Sequence, residues 1–312
     1  MITASTLTMK AAKVLAEAGV ASPRTDAELL LAHVLQADRS EVTHHLILGT
    51  EIDAADAATY ETLVAQRASR VPLQHLTGVA YFRQLELAVG PGVFIPRPET
   101  EAVAQVAIDE AKNVASKTGT AVVVDLCTGS GAIALSIATE VPGAQVHAIE
   151  LDATAHKWAK LNFGRNINAN TDTDTDTDAG VGASVGAKLY KGDARTALPE
   201  LNGKADVVVS NPPYVPGDAI PKDPEVAQHD PAVALYGLGA DGLTVPRGIT
   251  AAAARLLKPG GLYVMEHAEV QAAAARAMVD ATGLFTKAAT RDDLTQRSRM
   301  VIARRNVSPV QN

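Results

Sequence analysis

Four short apolar runs in the C-terminal two thirds of the chain constrain its fold more than any other feature. They are Val122-Val123-Val124, Val146-His147-Ala148-Ile149, Asp206-Val207-Val208-Val209-Ser210 and Leu262-Tyr263-Val264-Met265. Strands buried on both faces read as unbroken apolar runs, because alternating polar residues would be buried on one face or the other. Helical stretches such as residues 132–139 separate the runs. Strands alternating with helices make a parallel sheet covered on both sides, a doubly wound α/β fold. Ligands of such sheets sit beyond the carboxyl ends of the strands, so the residues that follow each run are the first candidates for a site.

The N-terminal part has a different pattern. Ala11, Val14, Leu15 and Ala18 recur at helical spacing before Gly19, and Ser22-Pro23 opens a second helix carrying Ala27, Leu30, Leu31 and Val34. A third run centres on Val42, Leu46 and Leu48, and a fourth spans residues 54–69. Residues 77–98 then bring Gly78, Gly90 and Gly92 around an alternation at Leu85, Leu87 and Val89, which reads as a β-hairpin linker. Pro91, Pro96 and Pro98 stiffen its exit. The expected organisation of the 312 residues is therefore a helical bundle over 1–76, a linker over 77–98 and an α/β domain over 99–306. That domain is interrupted at about 168–187, where Thr-Asp repeats four times over 171–178. The insertion has almost nothing large and apolar to bury and reads as a solvated loop. It lacks the glycine turn and closing glutamate of a calcium loop.

Composition excludes several classes. The chain has 28 basic and 35 acidic residues, a net charge of −7, and residues 1–76 carry 6 basic against 9 acidic. Neither balance suits a chain that coats phosphates, so no direct nucleic acid binding is expected. The lone cysteine, Cys127, rules out an intramolecular disulfide framework and a multi-cysteine metal site. His44, His45 and His75 are scattered and read as structural or surface groups, so no metal is expected. No stretch approaches the ~18 apolar residues of a membrane span. The start of the chain lacks the charged-then-apolar order of a secretory signal. A soluble protein of the reducing cytoplasm is the expectation.

The first candidate site is Asp125-Leu126-Cys127-Thr128-Gly129-Ser130-Gly131, which joins a strand to a helix. Backbone N–H groups at such a helix start can approach a ligand closely. Glu150 ends the next strand, 19 residues after Gly131. A carboxylate there can accept hydrogen bonds from both ribose hydroxyls of a nucleoside. A dinucleotide loop needs a third glycine, and residues 133 and 134 are Ile133 and Ala134. The loop suits an adenosine carrying a sulfonium amino acid better.

The strongest local signal is Asn211-Pro212-Pro213-Tyr214, directly after the third run. Two prolines and a tyrosine can simply end a strand as a rigid turn. Their place at a strand carboxyl end favours chemistry. An amide or aromatic NH2 is a poor nucleophile because its lone pair is delocalised. The Asn211 side-chain oxygen and the Pro212 backbone oxygen can each accept one of its N–H groups and favour the pyramidal form. Tyr214 can cover the flat face of the substrate and exclude water.

These motifs together resemble amino-methyltransferases that use S-adenosylmethionine. Residues 72–78 (Pro-Leu-Gln-His-Leu-Thr-Gly) and 91–101 (Pro-Gly-Val-Phe-Ile-Pro-Arg-Pro-Glu-Thr-Glu) narrow the resemblance to the release factor glutamine methyltransferases of the HemK/PrmC type. Residues 125–135, 209–215 and 241–243 are similar too, as is the ending Arg291-Asp292-Asp293-Leu294 with Arg297 and Arg299. The resemblance covers nearly the whole chain outside the Thr-Asp insertion. It implies a class I methyltransferase sheet, a helical bundle that helps hold a class 1 peptide chain release factor, and methylation of the glutamine side-chain nitrogen in Gly-Gly-Gln. By motif, Cys127, Thr128, Gly129, Ser130, Gly131, Glu150 and Asp193 are implied to bind the donor, with Asn211 touching it as well. Asn211, Pro212, Pro213 and Tyr214 are implied to hold the glutamine, with Asn211, Pro212 and Tyr214 at the reaction itself. Phe94, Arg97 and Glu99 are implied to shape the entrance.

Two positions depart from the family pattern. Cys127 stands where glycine is usual, and Ala194 replaces an aromatic residue beside Asp193. If position 127 has positive φ, cysteine there costs on the order of 1 kcal/mol. A catalytic thiol is not needed, since direct transfer has no covalent enzyme intermediate. Two other readings use the same motifs: a nucleic acid adenine or cytosine methyltransferase, and a donor-binding protein without catalysis. The first calls for a basic recognition segment, and residues 1–97 have 8 basic and 10 acidic residues. The second has no use for Asn211 to Tyr214.

Overall fold

The computed structural model describes residues 2–167 and 186–307, so the Thr-Asp loop expected over 171–178 lies outside the described residues. The chain forms two compact units: Met1–Val79 with Pro221–His229, and Ala80–Ile220 with Asp230–Asn312.

The first unit is helical. After β1 (Ile2–Thr3) come α1 (Ala4–Glu17), α2 (Pro23–Leu35), α3 (Arg39–Leu48), β2 (Glu51–Ile52), α4 (Ala54–Ala68) and α5 (Leu73–Thr77). Side-chain caps start the helices: Asp38 and Glu41 form a reciprocal capping box on α3, and Asp53 accepts from Ala55 and Asp56 on α4. Leu7, Leu15, Leu30, Leu31, Tyr60 and Val64 fill the core, and the Tyr60 hydroxyl donates to Ala27 O at 3.0 Å. In the third run Val42 is buried while Leu48 is 79% exposed. Residues six apart lie on different faces of a helix, so the two cannot both face the core. The paired strands β1 and β2 have no counterpart in the sequence reading, being two residues each.

Residues 221–229 bring Glu225 between two arginines of α4 and its exit. Arg67 Nη1 donates to it at 2.8 Å and Arg70 Nε at 2.9 Å, while Arg67 Nε also donates to Asp26 at 2.7 Å. Local spacing gives no hint that a segment so far along the chain completes this bundle.

The second unit holds the sheet. In chain order its elements are β3 (Val79–Phe82), β4 (Leu85–Ala88), α6 (Thr100–Thr118), β5 (Ala121–Leu126), α7 (Ala132–Glu140), β6 (Ala144–Glu150), α8 (Ala153–Asn166), β7 (Ala187–Lys191) and β8 (Ala205–Ser210). After α9 (Pro224–His229), which the first unit carries, come α10 (Ala232–Leu235), α11 (Thr244–Leu256), β9 (Leu257–Glu266), α12 (Ala272–Asp280), β10 (Ala289–Asp292) and β11 (Ser298–Arg304). The seven strands run in the order β10-β11-β9-β8-β5-β6-β7. The five from β9 to β7 are parallel, and β11 and β10 close one edge antiparallel. This is the doubly wound sheet expected from the apolar runs. The chain winds outward from β5 in both directions, so the switch point lies between β5 and β8.

The runs are unbroken because both faces are covered. Val123, Val146, Val207, Val209 and Val264 pack on one side with α6 and α7, whose buried residues include Val103, Ala107, Ile108, Ile133 and Leu135. Val124, Leu126, Val208 and Met265 pack on the other with Ile249 and Ala253 of α11 and Val279 of α12. β9 is longer than its apolar run and includes Pro259-Gly260-Gly261, with Leu257 pairing to Ala205 and a register shift before Val207. Residue Ala187, expected in the insertion, already begins β7.

The hairpin β3-β4 belongs to this core. Phe82, Leu85 and Leu87 lie in the same cluster as Val103 and Leu135. Beyond it, Gly90 passes so close to Trp158 that a Cβ would sit 2.5 Å from the indole ring. One side chain ties hairpin, helix and glycine loop together. Asn162 of α8 is fully buried. Its Oδ1 accepts from Ala88 N at 2.7 Å, and its Nδ2 donates to Ala88 O at 3.0 Å and Ser130 O at 2.9 Å. Asn162→Ala strands three buried backbone groups and is expected to destabilise the protein by about 2–4 kcal/mol. A shift in the urea midpoint at unchanged slope is the measurement, and an unshifted midpoint contradicts this role for Asn162.

Candidate active site

The carboxyl ends of β5, β6 and β8 open into one cavity of about 520 Å³ in the second unit. That size is ordinary for a cofactor-sized ligand, and the location is the switch point of the sheet. The turn after β5 forms its floor. Cys127, Gly129 and Gly131 all adopt positive φ, at 65°, 60° and 91°. The strain expected at Cys127 for a positive φ is therefore present: a cysteine occupies left-handed backbone that glycine takes freely.

Three polar side chains hold this turn. Asp125 Oδ2 accepts from Thr128 Oγ1 at 2.6 Å and from Ala134 N at 3.2 Å, fixing the turn to the start of α7. Glu150 Oε2 accepts from Gly129 N and Oε1 from Asp152 N, both at 2.8 Å. Asn162 holds Ser130 from behind. Each Glu150 oxygen keeps a second lone pair after its backbone bond, so the carboxylate retains two acceptor positions for a ligand.

The structure brings most of the expected residues to this cavity. Phe94, Cys127, Thr128, Gly129, Ser130, Glu150, Asp193, Asn211, Pro213 and Tyr214 line it, while Gly131, Pro212, Arg97 and Glu99 do not. Gly131 shapes the turn through its backbone. Pro212 is buried beneath the wall. Arg97 stands behind Phe94, its guanidinium 5.0 Å from the ring centroid, and donates to Asp230 at 2.7 Å. Glu99 precedes α6 at its N-cap position. Asp193 is on the wall, but Arg195 grips both its oxygens, with Nε at 2.9 and 3.0 Å and Nη2 at 2.6 Å. That grip lowers the Asp193 pKa and leaves it fewer free acceptor positions than its motif suggests.

The tetrapeptide is pinned at both ends. Tyr214 N and Val215 N donate to Leu235 O at 3.1 and 2.8 Å, and Gln271 Nε2 donates to Tyr214 O at 2.8 Å. The Tyr214 hydroxyl donates to Glu266 Oε1 at 3.3 Å, and Asn211 Nδ2 donates to Thr100 Oγ1 at 3.4 Å. Sequence reading missed Thr100 and Glu266 as members of the site. Thr100 stands inside the family-like segment 91–101, whereas Glu266 has no local signal beyond ending an apolar run. Burial pushes the Cys127 thiol above its ordinary range, which disfavours the thiolate. Among the described residues no cluster of His, Cys, Asp or Glu could hold a metal ion, and no helix is long and apolar enough to cross a membrane.

Residues 6–78 match the family described as PrmC N-terminal domain, and residues 104–229 match the methyltransferase small domain. A release factor glutamine methyltransferase of Streptomyces coelicolor is 46% identical over 93% of this chain and 94% of its own length. The chain belongs to the release factor glutamine methyltransferase family. A second family member, from Mycolicibacterium smegmatis, is 45% identical with the same coverage of both chains. A 4-amino-L-phenylalanine/4-methylamino-L-phenylalanine methyltransferase of Streptomyces pristinaespiralis is 36% identical over 86% of this chain and 83% of its own. Among solved structures, the hMettl16 catalytic domain aligns with a TM-score of 0.51 at 16% identity, covering 80% of this chain and 83% of that one, which speaks to the shared fold.

The buried acids of the family site carry a pH signature. Burial pushes both Asp125 and Glu266 up to about 7. An acid whose folded pKa exceeds its unfolded value binds its proton more tightly when folded, so stability rises as pH falls through the folded pKa. His147, His156 and His267 are lowered by burial and oppose this, but only near and below their ordinary 6.5. The denaturation midpoint is expected to be higher at pH 7 than at pH 8, and Glu266→Gln to remove part of the difference. A midpoint that rises from pH 7 to pH 8 contradicts the assignment.

Proposed function

We propose that this enzyme transfers a methyl group from S-adenosylmethionine to the side-chain amide nitrogen of the glutamine in the Gly-Gly-Gln segment of class 1 peptide chain release factors. The observation that carries the reading is that one cavity joins the Glu150 carboxylate and the 127–131 turn to Asn211 and Tyr214. The names of the relatives supply the substrate, and the residues fit the donor. Glu150 offers acceptor positions for ribose hydroxyls, and Ile133, Ala155 and Ala194 give an apolar wall for a base. When bound, the donor would supply an electrophilic methyl group on sulfonium, whose S–CH3 bond breaks to leave a neutral thioether as the methyl passes to nitrogen.

The chain's own residues supply position. Asn211 Oδ1, on the cavity wall, accepts one N–H of the glutamine amide, which weakens conjugation and directs the nitrogen lone pair toward the donor side of the cavity, whereas Pro212 does not line the cavity and takes no part in that contact. Pro213 and Tyr214 pack the amide plane, with Phe94 at the mouth and Arg97 and Glu99 behind it. The nitrogen releases one proton to water as the N–C bond forms, and no strong base is required. Rate enhancement of this kind comes from orientation. Residues 1–76 are assigned to release factor docking, residues 77–98 to linking, and residues 99–306 to transfer. Residues 1–97 have no basic excess, which supports a protein substrate over direct binding of nucleic acid.

The test is incubation with labelled donor and a purified release factor, followed by peptide mass spectrometry. Label on the glutamine of Gly-Gly-Gln is expected. Label on nucleic acid, or none on that peptide, overturns the reading. Asn211→Ala is expected to cut methylation by on the order of a hundredfold or more while calorimetry shows donor affinity little changed. Glu150→Ala should instead weaken donor affinity on the order of tenfold to a hundredfold. Unchanged affinity would remove Glu150 from the donor site.

A further inference from the structure

Beneath Asn211 lies a set of buried polar groups that the transfer chemistry does not use. Thr100 opens α6, is 4% exposed, and its hydroxyl accepts from Asn211 Nδ2 at 3.4 Å. Glu266 closes β9, one residue beyond Met265, which pairs with Ser210 of β8. The sheet register therefore sets Glu266 and Asn211 side by side, although 55 residues separate them in the chain. Glu266 is 1% exposed. Its Oε1 accepts from Tyr214, while Oε2 makes no hydrogen bond among the described residues. Burial disfavours its charge, and the Thr100 hydroxyl facing the carboxyl group does most to restore it, ahead of Arg299. Arg299 is itself held by Asp293 at 3.1 Å.

An asparagine amide has two ends of similar shape and opposite polarity, and its neighbours decide which end faces the cavity. A substrate NH2 offers only donors. Asn211 is useful to it with Oδ1 forward and useless with Nδ2 forward. A threonine hydroxyl can select either orientation, because it both donates and accepts. If its hydrogen points at Asn211, it draws the amide oxygen back and turns Nδ2 toward the substrate. If its hydrogen is taken elsewhere, it draws Nδ2 back and leaves Oδ1 forward.

The geometry points to Thr100 and Glu266 as positioning residues: Glu266 takes the Thr100 hydroxyl hydrogen, Thr100 takes Asn211 Nδ2, and Asn211 Oδ1 faces the substrate amide. In the ionised form, which prevails above about pH 7, the open Glu266 Oε2 is the acceptor available for that hydrogen. Tyr214, bonded to the other oxygen, places both working side chains of the tetrapeptide on one buried carboxyl group. The chain of hydrogen bonds is polarised in a single sense in a medium of low dielectric. The 3.4 Å bond is long, as such contacts commonly are before substrate arrives. The inference rests on the proposed transfer to an amide nitrogen for its catalytic consequence, but the orientation of Asn211 can be read without turnover.

The experiment compares Thr100→Val, which keeps the shape and removes the hydroxyl, with Thr100→Ser, which keeps the hydroxyl. Turnover is measured on a release factor, donor affinity by calorimetry, and the Asn211 side-chain amide by ¹⁵N–¹H NMR, assigned by its absence in Asn211→Ala. Thr100→Val is expected to lower kcat on the order of tenfold to a hundredfold, with donor Kd unchanged and KM little affected. Its Asn211 amide protons are expected to exchange faster with solvent. Thr100→Ser should recover most of both signals. Glu266→Gln should lower kcat as well, and adding Thr100→Val to it should cost little more, because the two act through one chain. Wild-type kcat and wild-type exchange in Thr100→Val overturn the inference, as do fully additive losses in the double variant. A wild-type protein that leaves the release factor unlabelled refutes the proposed function, and the NMR comparison then decides the positioning role alone. If Thr100→Val does not fold, Glu266→Gln decides the matter by the same exchange measurement: faster Asn211 exchange supports the positioning role and wild-type exchange overturns it.

Discussion

The five-residue turn from Cys127 to Gly131 is the constraint on which the site depends. It leaves β5 at the switch point and must run through three left-handed positions before α7 can begin. Left-handed backbone is not self-sustaining for a residue with a side chain, so the surroundings must hold it. Asp125 holds it from the strand, Glu150 from the neighbouring strand, and Asn162 from α8. Two of these three are acidic groups taken out of water, where an unpaired carboxylate is costly. The turn's backbone N–H groups and the Thr128 hydroxyl offset part of that cost, so turn and carboxylates stabilise one another. The cavity floor is thereby held by hydrogen bonds from three separate elements.

The same reciprocity governs the opposite wall. Asn211 to Tyr214 leave β8 without regular pairing, and their polar groups go to Leu235, Gln271, Thr100 and Glu266. Glycine at 237 lets this wall close, since a Cβ there would collide with Gly242 O. One wall thus presents the Glu150 carboxylate and the other the side chains of Asn211 and Tyr214 to the same cavity. The chain's membership of the release factor glutamine methyltransferase family is consistent with a single cavity bounded by both walls.

Much of this was legible in the chain. The apolar runs around Val123, Val146, Val208 and Val264 pointed to buried parallel strands because both faces of each are covered, which local composition records directly. Gly129, Glu150 and Asn211 could be placed at strand ends because such ends follow from where a run stops. Other features were not legible. β7 is short and alternates, with Lys188 and Lys191 exposed, so it carries no continuous apolar run. Leu48 fits an apolar count but not the face of α3 that is buried. Arg97 reads as an entrance residue and stands behind Phe94, paired with Asp230, a partner more than a hundred residues away. Asp193 lines the cavity, yet Arg195, only two residues on, occupies it.

By itself the sequence determined the class of fold, the helical character of the first unit and the chemistry of its motifs, because periodicity and side-chain type are local properties. The tertiary structure alone decided which side chains share a cavity, that residues 221–229 complete the first unit, and that Thr100 and Glu266 lie beneath Asn211. These are pairings across tens to hundreds of residues, fixed by strand order and register. No local spacing encodes them, since the sheet chooses its neighbours only when it is assembled.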